Sequence, residues 1–259
     1  MTSHAGGFVL CTFSAGNLAF WDLVSRDGKV EPVPLPARDS GTVLRNKTYL
    51  ILETNEGDTP RILTSAFTGA WLSPDRGTVP VSWAVDPVLA TMFPALWNVF
   101  STTARANDSF VTGVDGAGYV FLNSLGPEFE ARYERTAGRL LATGIGSDVI
   151  DVGVADERWP AVTVPQLEAF VANAKAAGGR GPAALLNACG SDYGQAVNFW
   201  LSDGTPVFNS VCCGPEDLYG KGNRHFVYYY RNFLNSTDPA SDLAGRIRWV
   251  AENKRDHPS

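Results

Sequence analysis

Three places in the chain carry residue types that can do acid/base chemistry. The first is Asp115-Gly-Ala-Gly-Tyr119, which closes the apolar and β-branched run from Ser109 to Val114. Gly116 and Gly118 can take left-handed backbone angles or let a ligand come close. Asp115 adds a carboxylate and Tyr119 a ring with a hydroxyl. The second place is Glu53 with Asn55, Glu56 and Asp58 behind it, and the third is Asp86, between the run Val79–Val85 and Pro87. Two carboxyls facing each other across a sugar can divide hydrolysis between them, one as general acid and the other as base or nucleophile. Each acid also has a plainer reading. Asp115 could lie in a tight, solvated turn, and Asp58 and Asp86, each close before a proline, could be helix N-caps.

These acids fall where apolar runs end, so the runs decide whether they can meet. Short β-branched stretches alternate with helical patterns. Strands are expected at Phe8–Phe13, Thr48–Glu53, Val79–Val85, Phe110–Val114, Asp148–Val152, Ala184–Ala188, Pro206–Val211 and Phe226–Tyr230. Helices are expected between them. One starts at Asp86-Pro87 and places Leu89, Met92, Phe93, Leu96, Trp97 and Phe100 at core spacing. Another runs from Pro127 to Ala142, a third opens on the capping box Thr163-Val-Pro-Gln166, and a fourth lies around Gly194–Leu201. The alternation implies one α/β domain over residues 1–259, a TIM-like (β/α)8 barrel or an irregular or seven-stranded version of it.

In such a fold the C-terminal strand ends converge on one mouth. That mouth would collect Asn17, Glu53, Glu56, Asp58, Asp86, Asp115, Asp151, Asn187 and Asn209. Carboxylates and amides bond sugar hydroxyls in both directions. Trp83 and Tyr119 are placed to stack on sugar rings, whereas Trp71 and Trp97 fit helix-to-sheet packing. The expected catalytic carboxyls are Glu56, Asp58 and Asp115. The expected substrate-binding residues are Asn17, Glu53, Trp83, Asp86, Gly116, Gly118 and Tyr119.

Composition narrows the alternatives. The net charge is −6 with no basic run, which argues against nucleic acid as partner. No apolar stretch is long enough to span a bilayer, and no basic segment precedes Phe8–Phe13, so neither a membrane partner nor export is expected from the chain as written. Of the three histidines, His4 and His257 are terminal and His225 precedes an expected strand. Ser-His-Asp and Cys-His arrangements therefore lack a base. The four cysteines match no zinc spacing. No cofactor is expected, although an oxygen-ligated divalent cation on Glu56 and Asp58 would be chemically reasonable.

The segment Gly116-Ala-Gly-Tyr-Val-Phe-Leu122 resembles the motif of the GxGYxYP family of putative glycoside hydrolases, in its C-terminal domain. The Gly-Ala-Gly-Tyr core is intact, and Phe121-Leu122 stands where the motif has Tyr-Pro. Arg76-Gly77, Val79-Pro-Val-Ser-Trp83, Pro87, Thr103-Ala104 and Asn107-Asp108-Ser-Phe-Val111 resemble the family's approach to it. Glu56-Gly-Asp58-Thr59 is similar to its Asp-Gly-Asp-Asn turn, and Asn17 to the end of its first strand. The resemblance implies a barrel-like domain, carbohydrate processing, a further domain upstream and frequent export. The altered residues leave room for a non-catalytic carbohydrate-binding or scaffold domain. A metal-assisted hydrolase or deacetylase is the third alternative.

Overall fold

The computed structural model describes residues 49, 51–54, 63–64, 66–113, 115–152, 162–187, 198–209, 244 and 248. The expected strands at Phe8–Phe13 and Phe226–Tyr230 lie outside these residues. Seven strands are described: β1 (Glu53–Thr54), β2 (Val81–Val85), β3 (Asp108–Thr112), β4 (Val149–Val152), β5 (Ala184–Asn187), β6 (Phe199–Trp200) and β7 (Pro206–Asn209). The helices are α1 (Ala66–Trp71), α2 (Leu89–Met92), α3 (Pro94–Thr103), α4 (Pro127–Ala142) and α5 (Val164–Gly178). The strands form one sheet in the order β1-β2-β3-β4-β5-β7-β6, parallel throughout except for the β6–β7 pair. Among the described residues no pairing joins β1 to β6.

The order does not reverse between β1 and β5. Parallel crossovers are right-handed almost without exception, so helices inserted in such a sequence gather on one face. The packing agrees. Register aligns Val85, Thr112, Ile150, Leu185 and Val207 in a row across five strands, and each of the five is fully buried. On this side β2 and β3 meet α1, α2 and α3 through Phe67, Trp71, Leu89, Trp97 and Phe100. Further along, β4, β5 and β7 meet α4 and α5 through Leu141, Leu167, Phe170 and Val171. The opposite parity carries Glu53, Ser82, Ala84, Val111, Asp151 and Leu186 on the other face. Ala84, Val111 and Leu186 are buried there too, outside both helix-packed clusters.

Two expectations need correcting. The helix anticipated from Asp86-Pro87 is two helices, because Pro94 has no N–H and drives Phe93 out of the helical region, to φ −138° and ψ 57°. Met92, at the end of α2, is exposed as a result. Residues 194–197 of the helix expected around Gly194–Leu201 lie outside the described residues, and Phe199–Trp200 form β6, which pairs with β7 across Ser202-Asp-Gly-Thr205, with Gly204 at φ 87°. Asp-Gly between short apolar runs is a hairpin signal. The capping box at Thr163 and the span of α4 are as expected.

The N-terminal strand ends are held by ionic and aromatic contacts. Asp108 accepts from Arg76 Nη1 at 2.8 Å, from Trp83 Nε1 at 2.9 Å and from the Arg105 N–H at 2.7 Å. The Arg76 guanidinium lies 3.9 Å from the centre of the Trp71 ring. Asp148, just before β4, pairs with Arg180 just after α5. Removing one member of a buried pair leaves the other charge uncompensated. Asp108→Ala is therefore expected to cost about 3–5 kcal/mol in urea unfolding.

Helices α4 and α5 touch backbone to backbone. A Cβ on Gly138 would stand 2.1 Å from the Ala174 carbonyl oxygen. Replacing a mid-helix glycine by alanine ordinarily gains about 0.5–1 kcal/mol. Here overpacking against backbone that cannot swing away outweighs that gain, so Gly138→Ala should destabilise by about 1–3 kcal/mol. A raised unfolding midpoint would show that the helices can separate at no cost.

Candidate functional site

Asp86 and Asp115 lie just beyond the C-terminal ends of β2 and β3, and Asp151 lies near the end of β4. Val85 closes β2, and its carbonyl accepts from the Gly113 N–H at 2.9 Å, which keeps the chain beyond β3 beside the chain beyond β2. Asp86 and Asp115 follow directly, and Asp151 lies on β4. All three are buried, at 2%, 0% and 3% exposure. The Asp115 N–H donates to the Asp151 carbonyl oxygen at 2.7 Å. Both Asp115 and Asp86 lie within electrostatic reach of the Tyr133 hydroxyl.

The turn after β3 is fixed from several sides. Asp115 takes φ 54°, and Gly116 and Gly118 take φ 85° and 103°. A side chain at Gly116 would press on the Ala137 Cβ at 3.0 Å, so α4 packs directly on the glycine backbone. From α4 the Tyr133 hydroxyl donates to the Gly118 carbonyl at 2.6 Å, with the Asp115 carbonyl at 3.3 Å. Burial and then the neighbouring acids raise the Tyr133 pKa well above the usual tyrosine range, so the hydroxyl keeps its proton.

Burial also reshapes the acids. It pushes Asp86 up to about 7, against a smaller opposing effect from the Val88 N–H, which donates to Asp86 Oδ1 at 2.9 Å. Glu53 is likewise raised to about 7 by burial. Its Oε1 has no hydrogen-bond partner among the described residues. Glu53 pairs in register with Ser82, four residues before Asp86. It therefore lies roughly 13 Å further down the strand direction than Asp86, one residue before the end of β1 at Thr54. On the helix side, Glu134 is raised to about 7 by burial, partly offset by Asn173, whose amide donates at 2.6 Å.

The sequence-derived candidates thus divide. Asp86, Asp115, Gly116 and Gly118 share one place. Tyr119 is half-buried beside them in sequence, with its ring edge-on to Phe121 at 5.6 Å. Trp83 does not offer a stacking face to a sugar. It points to the helix side, 4% exposed, wedged between Phe67 and Trp71 with its Nε1 bonded to Asp108. Asp115 is not a solvated turn residue, and Asp86 does act locally as a cap of the turn before α2. Asn17, Glu56 and Asp58 lie outside the described residues. Tyr133 is not among the candidates the sequence offers. The usable signal was a hydroxyl in line with Ala137 and Leu141, because a buried tyrosine oxygen needs a partner. Among the described residues no group of three His, Cys, Asp or Glu could hold a metal ion, and no helix is long and apolar enough to cross a membrane.

The fold is a mostly parallel α/β sheet with buried carboxyls near the C-terminal ends of β2, β3 and β4. Residues 46–179 match the family described as the GxGYxYP putative glycoside hydrolase C-terminal domain, and the chain belongs to that family. The match takes in Glu56, Asp58, Asp86 and the whole Asp115–Tyr119 turn. A solved structure described as a putative hydrolase from Bacteroides thetaiotaomicron VPI-5482 superposes with a TM-score of 0.61 at 17% identity. The alignment covers 80% of this chain and 38% of that one, so the present chain spans well under half of its structural neighbour. At that identity the likeness is one of fold. No curated protein matches the sequence.

The raised acids make stability depend on pH. An unfolded aspartate loses its proton near pH 4, whereas native Asp86 holds it up to about 7. Between those values the native state binds more protons, so stability falls as pH rises from about 4 to about 7. Glu53 and Glu134 act in the same direction. Asp86→Asn keeps an oxygen for the Val88 N–H and removes one titration. It should match wild type near pH 4 and exceed it at pH 8 by on the order of a few kcal/mol. Urea unfolding at the two pH values measures this, and equal midpoints at pH 8 would rule out Asp86 as a titrating group.

Proposed function

We propose that this domain hydrolyses glycosidic bonds in a polysaccharide or glycoconjugate, using carboxyl groups at the C-terminal ends of its parallel strands. The observation that carries the reading is that two buried acids, Asp86 and Asp115, follow the adjacent strands β2 and β3, whose ends the Gly113 N–H to Val85 carbonyl bond of 2.9 Å holds together, with Asp86 raised by burial to about 7. A carboxylic acid still protonated at neutral pH is what protonation of a leaving sugar oxygen requires. In this reading Asp86 is the general acid and Asp115 the second carboxyl. Glu56 and Asp58, which follow β1 in the sequence, supply the remaining acid/base or nucleophilic capacity. Glu53, Tyr119 and Asn17 contact substrate hydroxyls. Carboxyls alone suffice for this chemistry, so no metal or organic cofactor is called for.

The same reading closes the sheet into a (β/α)8-like barrel. Ala84, Val111 and Leu186 are buried on the face that packs none of the described helices. A sheet curled on itself buries such a face with its own side chains. One observation favours a second reading. Asp115 is wholly buried, as suits an acid that holds a turn, in which case the domain binds carbohydrate without cleaving it.

A glycan panel separates the two. Wild type should release reducing ends, and the rate should fall above pH 7 as Asp86 loses its proton. Asp86→Asn and Asp115→Asn should each lose about 100-fold or more in kcat, and EDTA should change nothing. Binding without turnover would establish the second reading, and full activity in both variants would remove the assigned carboxyls.

A further inference from the structure

Asp115 is the described non-glycine residue with a positive φ, at 54°. Aspartate tolerates this region better than most residues, but it still costs on the order of 1 kcal/mol and persists only where the surroundings enforce it. Three contacts enforce it here. The Asp115 N–H is tied to the Asp151 carbonyl on β4 at 2.7 Å. Gly116 lies flat on Ala137 of α4. The Tyr133 hydroxyl, also from α4, reaches the Gly118 carbonyl at 2.6 Å and the Asp115 carbonyl at 3.3 Å. The third contact spans the turn, because its two acceptors are the first residue and the second glycine. One proton serves both oxygens, with the shorter bond to Gly118 dominant. Removing it frees the carbonyls at both ends of the turn while the apolar packing of the ring remains.

We propose that Tyr133 is a positioning residue, whose hydroxyl clamps the Asp115–Gly118 turn and so fixes the Asp115 carboxyl relative to Asp86. The inference rests on the carboxylate reading above, since a positioned acid matters only if the acid is used. Tyr133 touches no substrate in this scheme and acts through Asp115 alone.

Tyr133→Phe tests it with two readouts. Amide hydrogen exchange, read residue by residue, should be at least tenfold faster at Asp115 and Gly118 in the variant and unchanged at Phe110 and Val111 of β3. On an active glycan, kcat should fall tenfold or more with KM little changed. That loss should vanish when Tyr133→Phe is added to Asp115→Asn, because residues acting through one group are not additive. Unchanged exchange at Asp115, or a loss of undiminished size in the Asp115→Asn background, overturns the proposal. If Tyr133→Phe does not fold, the wild type decides. A clamped hydroxyl should give a slowly exchanging proton resonance, and its absence overturns the clamp. A wild type inactive on every glycan removes the catalytic half of the proposal together with the hydrolase reading, while the exchange result still settles whether Tyr133 holds the turn.

Discussion

A parallel strand returns to its neighbour through a crossover of one hand, so a sheet whose order does not reverse collects its helices on one side. From β1 to β5 this protein has such a sheet. Side-chain alternation does the rest. One parity supplies Val85, Thr112, Ile150, Leu185 and Val207 to the helix-packed cores, and the other supplies Glu53, Ala84, Val111 and Asp151. Carboxyl groups on the second parity, or just past the strand ends, escape the aromatic packing between sheet and helices. They are buried nonetheless, which is why burial leads the causes that raise Asp86 and Glu53.

The two ends of the strands bear different loads. At the N-terminal end the charges are paired. Asp108 gathers Arg76, Trp83 and the Arg105 backbone, and Asp148 holds Arg180. At the C-terminal end the acids Asp86, Asp115 and Asp151 are buried, and burial holds Asp86 protonated toward neutrality. Buried acids whose protons are held toward neutrality weaken a fold as pH rises, so this end of the sheet costs stability where the other end gains it. Residues that carry the family resemblance serve both ends. Asp108 and Trp83 anchor the bottom, and Gly116 and Gly118 shape the turn at the top.

Helix α4 connects these regions. Its tyrosine reaches the glycine turn, its Ala137 leaves little room for a side chain at Gly116, and its Gly138 lets α5 approach to backbone contact. The turn is thus held by a helix that is itself pinned by its neighbour. Sequence change along the α4–α5 contact should be felt at Asp115, although no residue of that contact lies among the acids.

Local order was largely legible in the sequence. Alternating apolar runs and helical stripes marked β2, β3, β4, β5 and β7, the span of α4 and the capped start of α5, because these depend on periodicity and on caps a few residues away. The strand ends in turn pointed to Asp86 and Asp115. Proximity was not legible. Trp83 looked available for a sugar because an aromatic in a strand can face either way, and only the register with Phe110 and the neighbouring Trp71 sets it inside. The offset of Glu53 from Asp86 along the strands was not legible for the same reason, since register is a property of the pair. Phe199–Trp200 became a strand only because β7 offered a partner. Tyr133 reached Gly118 across fifteen positions of chain, and the rise in the Asp86 pKa came from everything packed around it. Residue types and spacing determined which groups could do acid chemistry. The tertiary structure decided which of them are buried together, because burial and electrostatic coupling depend on distance in space and not on separation along the chain.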